Sequence, residues 1–265
     1  MFADTVPPLA AMIAIGAAAS VSTLVAAAAR RHGTMLGWYG LALAASPQAG
    51  FLIPLIVALL IGRRLPAWLW AIAPLSALAV TAAFHASGWP TPDLTTLYVG
   101  QAGWSPAPTI DAPNVWAIIQ ALPGIADMPL AGLALAAAIG ASAWLIAHFS
   151  WRPPYGGNVI GAGLLVALIV PGLVPGMTEQ SFFLADILAL VLAVVCGEPR
   201  SWMICALVEG GSALALAGHA AEIDAGAILG AVPIIIATAL MARQFLVSPA
   251  NDNGLPLNPF RAYPA

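Results

Sequence analysis

Residues 34–62 read TMLGWYGLALAASPQAGFLIPLIVALLIG, with Arg30 and Arg31 shortly before them and Arg63 and Arg64 directly after. Taken as one membrane-spanning helix, this stretch would set the two arginine pairs on opposite faces of a bilayer. Basic residues gather on the cytoplasmic side, so that arrangement is disfavoured. The triplet Ser46-Pro47-Gln48 offers another path. Proline removes a backbone hydrogen bond and pushes the residue before it out of the helical region. The flanks, 34–45 and 49–62, are each about half the length of a span. Two half-helices meeting at a polar turn would return the chain to the side it came from. Irregular backbone at membrane depth needs protein or a water-filled cavity around it. The stretch is therefore expected to form a re-entrant or broken helical hairpin, with one kinked spanning helix as the alternative.

Composition sets the surroundings of that hairpin. Of 265 residues, 61% are hydrophobic and 7% charged. A soluble domain carries about 25% charged residues to cover its surface, so lipid must cover most of this one. Apolar runs at 8–29, 67–88, 129–149, 157–174, 181–197, 200–218 and 225–246 predict about seven transmembrane helices besides the hairpin, an all-α integral membrane fold. Lysine is absent, and all eight cationic residues are arginines. With a hairpin at 34–62, every arginine falls on one face, taken as cytoplasmic. Asp4, Asp93, Asp111, Asp127, Glu179, Glu222 and Asp224 then face outward. The predicted orientation has the N-terminus outside and the C-terminus in the cytoplasm of a bacterial inner (plasma) membrane. Arg30 and Arg31 follow the first apolar run rather than precede it, a reversed signal-anchor pattern.

Residues 1–247 read as a single polytopic membrane domain, and 248–265 as a flexible cytoplasmic tail. Residues 89–128 read as a long external loop; Trp89, Tyr98, Trp104 and Trp116 suit the membrane interface. The net charge of −3 is small and by itself says nothing about nucleic acid; no basic patch exists, so membrane lipids and no nucleic acid are the expected partners. Cys196 and Cys205 flank a turn placed in the cytoplasm, so no disulfide is expected.

Few residues can carry chemistry. Glu179 and Asp186 are seven positions apart, on one helix face about two turns apart. An ionisable residue inside the membrane is costly and marks a functional position by default. Two carboxylates could hold a divalent cation or act as a general base; the structural alternative is a capping Glu179 and an Asp186 bonded to a neighbouring helix. Glu209, in the middle of its helix, reads as a packing residue of the bundle interior, a proton relay being the other reading. His85, His148 and His219 are isolated and read as interfacial. Ser46 and Gln48 lie at the hairpin tip, where water could reach. Asp111 opens 111–116 like a helix cap. No phosphate-binding loop, dinucleotide fingerprint, serine-hydrolase elbow or zinc motif occurs.

Three of these stretches together resemble the bacterial GT-C glycosyltransferases, the multispanning mannosyltransferase-like proteins that take sugars from polyprenyl phosphate. Ser-Pro-Gln-Ala-Gly-Phe-Leu-Ile-Pro-Leu at 46–55 resembles their Lys-Pro-Gln segment. Asp-Ala-Pro-Asn-Val-Trp at 111–116 resembles Asn-Ala-Pro-Asn-Leu-Trp. Met-Thr-Glu-Gln-Ser-Phe-Phe-Leu-Ala-Asp at 177–186 resembles Met-His-Glu-Arg-Tyr-Phe-Phe-Leu-Ala-Asp. The order and spacing agree over roughly residues 35–195. Departures are Ser46 for lysine, Thr178 for histidine, Gln180 for arginine and Ser181 for tyrosine, all losses of groups suited to a lipid phosphate. The family's acidic catalytic residue sits in a first external loop that has no counterpart after Asp4. The resemblance thus implies the carboxy-terminal half of such a fold, with a partner chain supplying the amino-terminal half and the catalytic acid or base.

That resemblance implies sugar transfer from a polyprenyl-phosphate-linked donor at the outer membrane face. Glu179 and Asp186 would orient the donor or a divalent cation, while Gln48, Asn114, Trp116 and Met177 would line the site. Two further readings stand beside it. One is a catalytically degenerate scaffold or lipid-binding partner subunit. The other is a transporter working through Glu209.

Overall fold

The computed structural model describes residues 6–87, 109–125, 130–223 and 225–247, with side chains from residue 11. The helices are α1 (Val6–Ala28), α2 (His32–Ala45), α3 (Ile53–Gly62), α4 (Ala67–Trp70), α5 (Ile72–Ala86), α6 (Val115–Gln120), α7 (Ala131–Trp151), α8 (Asn158–Leu173), α9 (Phe183–Cys196), α10 (Pro199–Ala220) and α11 (Ala225–Ala242). Short 3₁₀ turns, Pro47–Leu52 and Glu179–Phe182, lead into α3 and α9. Among the described residues there is no β-strand, only an isolated bridge between Thr109 and Met177.

Among the described residues, six helical stretches are long and apolar enough to cross a membrane: Ala11–Ala28, Ala67–Ala86, Ala131–Trp151, Glu179–Cys196, Pro199–Ala220 and Ala225–Leu246. The chain is an all-α, multi-pass membrane protein. The expected helix at 157–174 forms as α8 but has 16 residues, about 24 Å at 1.5 Å per residue. It can be short because it is the centre of the bundle rather than a lipid-facing span. Val159, Leu164, Leu165 and Val166 are fully buried there. Pro171 lies in its last turn, and Val174 is already extended at its C-cap.

Residues 34–62 form the hairpin. After α2, Ser46 adopts an extended conformation, Pro47 opens the 3₁₀ turn, and α3 runs back. Arg63, at the end of α3, donates from Nη1 to the Ala27 carbonyl and from Nη2 to the Pro154 carbonyl, both at 2.9 Å. The guanidinium groups of Arg30 and Arg63 lie over the same Tyr155 ring, 4.8 and 5.4 Å from its centroid. Both arginine pairs therefore sit at one end of the molecule, which a single spanning helix would not permit. Protein surrounds the irregular tip, as its depth requires. Ser46, Ala49 and Leu52 are buried, and the Tyr39 hydroxyl donates to the Ala49 carbonyl. Gly16 of α1 passes so close that a Cβ there would lie 2.4 Å from Cβ of Ser46.

Contacts between helix ends extend the arginine-bearing face. Gly62 abuts Ser150 and Pro153. A ring nitrogen of His148 lies 3.1 Å from the Phe245 carbonyl, and Arg200 donates to the Leu240 carbonyl at 3.3 Å. These junctions gather Arg30, Arg31, Arg63, Arg64, Arg152, Arg200 and Arg243 at one end. Exposed Trp68, Trp151, Tyr155 and Trp202 stand among them, the aromatic girdle expected at a membrane–water boundary. The opposite end carries residues 109–125 and the turns after α8 and α10.

Residues 1–5, 88–108, 126–129, 224 and 248–265 lie outside the described residues. So do Trp89, Asp93, Tyr98 and Trp104 of the expected external loop, Asp4, Asp127 and Asp224, and the tail with Arg261. Trp116, expected at the surface, is instead buried with its indole nitrogen donating to the Leu173 carbonyl at 3.0 Å. Its short helix is capped not by Asp111 but by Asn114, whose Oδ1 accepts from the amides of Trp116 and Ala117.

Candidate functional site

At the end opposite the arginines, a cavity of about 460 Å³ opens between α1, the hairpin tip, α9 and α10. Its polar lining comprises Gln48, Glu179, Gln180, Asp186, Glu209 and Ser212, with Ile13, Phe183 and Leu216 among its apolar walls. Each polar group is presented by a local feature of the chain. The backbone of Thr178 donates to Ser181 Oγ at 3.2 Å, and the Thr178 side chain in turn caps Ser181, a reciprocal cap that starts the 3₁₀ turn. The turn holds Glu179 at the mouth and delivers Asp186 into the first turn of α9. The two positions where histidine and tyrosine were lost relative to the resembled motif thus build this cap. At the hairpin tip, the Ser46 hydroxyl donates to Gln48 Oε1 and fixes the amide.

Ser212 of α10 donates to Asp186 Oδ1 at 2.7 Å. This bond matches the expectation that Asp186 is hydrogen-bonded to a neighbouring helix, and it also orients the carboxylate at the cavity wall. Glu209 lies on the same helix, one turn before Ser212, and is exposed to the cavity rather than packed in the bundle interior. The packing expectation for Glu209 fails because positions 209, 212, 213 and 216 share one α10 face, and that face borders the cavity. Glu209, lacking any partner in its own stretch of sequence, thereby joins Asp186 and Glu179. Helical spacing within α10 hints at the pairing with Ser212, but no short-range signal links α10 to α9.

Gln48, Glu179 and Asp186 meet at this cavity, and Asn114, Trp116 and Met177 do not join their lining. These three instead tie the 109–120 segment to the turn after α8. The Ile110 amide donates to the Met177 carbonyl at 2.9 Å, Met177 is buried, and Trp116 bonds Leu173. Asn114 is 1% exposed, and its Nδ2 has no hydrogen-bond partner among the described residues. His219, expected to be isolated, lies 3.1 Å from Asp111 Oδ2, outside this cavity. Both cysteines are free thiols.

The lining is acidic, and among the described residues no arginine or histidine belongs to it. Carboxylates and a carboxamide accept hydrogen bonds from hydroxyl groups or cationic donors, whereas a bare phosphate would be repelled. No group of three His, Cys, Asp or Glu side chains close enough to hold a metal ion occurs among the described residues. Comparison with protein-family models, with curated proteins and with solved structures finds no match to this chain.

Proposed function

We propose that the protein is a GT-C-like membrane glycosyltransferase, or the carboxy-terminal half of one, and that the carboxylate-lined cavity receives the sugar of a polyprenyl-phosphate donor. One observation supports the reading above others. Gln48 from one family-like segment and Glu179 and Asp186 from another meet in a single cavity, and the third segment is bonded to the base of the same turn. A sugar presents hydroxyl donors, which this lining is suited to accept. The donor's phosphate would stay outside the acidic lining. In the transfer, an acceptor oxygen bonds to the anomeric carbon, and the bond from that carbon to the phosphate oxygen breaks. Polyprenyl phosphate leaves with the electron pair, and a cavity carboxylate, Asp186 or Glu209, takes the acceptor's proton. A carboxylate already in the cavity lessens the need for a second chain to bring the base. The positive-inside rule puts the arginine end in the cytoplasm and the cavity at the outer face of a bacterial inner membrane. Purified protein given labelled polyprenyl-phosphate-mannose should transfer the sugar, and Glu179→Ala should abolish transfer. No transfer, even with the neighbouring upstream reading frame coexpressed, rejects the enzyme.

The acidic lining also favours a second reading, a lipid-binding partner subunit without catalysis. Among the described residues that line the cavity there is no arginine or histidine to receive a donor phosphate. A stable complex on coexpression and pull-down, with no donor binding by the isolated chain, is the outcome this reading requires.

A further inference from the structure

The end far from the cavity holds a second site. Arg30 follows α1 and Arg63 follows α3, yet both guanidinium groups stack on the Tyr155 ring, at 4.8 and 5.4 Å. Arg63 is immobilised, its two terminal nitrogens spent on the Ala27 and Pro154 carbonyls. Arg30 is different. It is exposed, and beyond the Tyr155 ring its guanidinium makes no hydrogen bond among the described residues. Arg31 and Arg64 are exposed beside them. None of these four arginines is in an ion pair with a carboxylate among the described residues; Asp111 pairs with His219 at the other end. Two like charges held on one ring, without a counter-charge among the described residues, call for an external anion. The exposed rings of Trp68, Trp151 and Tyr155 place the cluster at the level of lipid headgroups. At that level the phosphate of an anionic lipid is the anion at hand, and an arginine fork is well matched to it.

We propose that Arg30, held by Tyr155 against the fixed charge of Arg63, binds the phosphate of an anionic glycerophospholipid and so anchors the junction of α1, α3 and the 152–157 loop to the leaflet. The full chain in non-ionic detergent would be titrated with phosphatidylglycerol or phosphatidylcholine, and the lipid retained read by native mass spectrometry. Wild type should retain phosphatidylglycerol in clear preference. Arg30→Gly removes the charge yet suits the left-handed backbone there, with φ at 58°, so the fold should survive. It should weaken retention about fivefold, the factor corresponding to ~1 kcal/mol for one arginine at an anionic surface. Arg30→Lys should keep most of the retention. Equal retention of the two lipids, or unchanged retention in Arg30→Gly, overturns the proposal. Displacement of the lipid by an equal concentration of inorganic phosphate overturns the lipid as its source.

Discussion

Ser212 and Asp186 stand 26 positions apart, and the hydroxyl of the first donates to the carboxylate of the second at 2.7 Å. Ser212→Ala removes that donor from a half-buried carboxylate and should cost about 1 kcal/mol, read as a lower melting temperature in detergent. A melting temperature equal to wild type would mean the bond only orients Asp186. His32 gives a pH prediction at the same scale. Its Nδ1 is buried with no hydrogen-bond partner among the described residues, and burial first, then the charges of Arg63 and Arg30, lower its pKa. The unfolded chain then binds the proton more readily than the folded one. Stability from this residue is complete above the ordinary histidine pKa of about 6.5 and declines as pH falls below it. We expect His32→Gln to flatten that part of the melting curve against pH; an unchanged slope would assign it to other groups. Glu222 is a third case, with φ at 54° just past the C-terminus of α10. Both its left-handed backbone and its negative charge at a helix C-terminus are unfavourable. Glu222→Gly should raise stability by about 1 kcal/mol, measurable by the same melts.

Among the elements, α2 and α5 pack through Gly40, where a Cβ would lie 2.4 Å from the Ala73 carbonyl and 2.8 Å from the Ala77 amide. Backbone cannot step aside as a side chain can, so Gly40→Ala should separate the helices at about 1–3 kcal/mol. A variant that melts with wild type would show that the two helices slide freely. The hairpin was readable from sequence because its cause is local: proline cannot continue α2, and arginine pairs resist separation by a bilayer. The spans were readable from their length and apolarity. The short α8 was not, because how far a helix must reach depends on whether lipid or protein surrounds it, and the run at 157–174 is equally apolar in either case. Asp186 and Glu179 could be paired because helical spacing puts them on one face. Glu209 could not be paired with them, since its partner lies across a helix interface. Asn114 and Trp116 illustrate the reverse: their motif suggested a site wall, and their hydrogen bonds serve the loop that braces it.

On the scale of the whole molecule, the shared end of the arginines is open to direct measurement. With Cys196 and Cys205 replaced by alanine, single cysteines at Arg31 and Arg64 should react with a membrane-impermeant thiol reagent from the same side of sealed vesicles. Labelling from opposite sides would mean that residues 34–62 cross the membrane once. The hairpin has a consequence for biogenesis as well. Neither limb is long enough to partition into lipid as a span by itself, and the tip depends on cover from parts of the chain made later: Leu52, Leu55 and Leu59 are buried in a core completed by Leu145, Leu164 and Leu165. During synthesis, α2 and α3 must therefore either wait near the translocon or cross provisionally as one segment. A chain ending before α7 should leave Arg64 on the wrong side, and synthesis through α8 should bring it back. Here the order in which the ribosome delivers helices decides on which side a charge comes to rest.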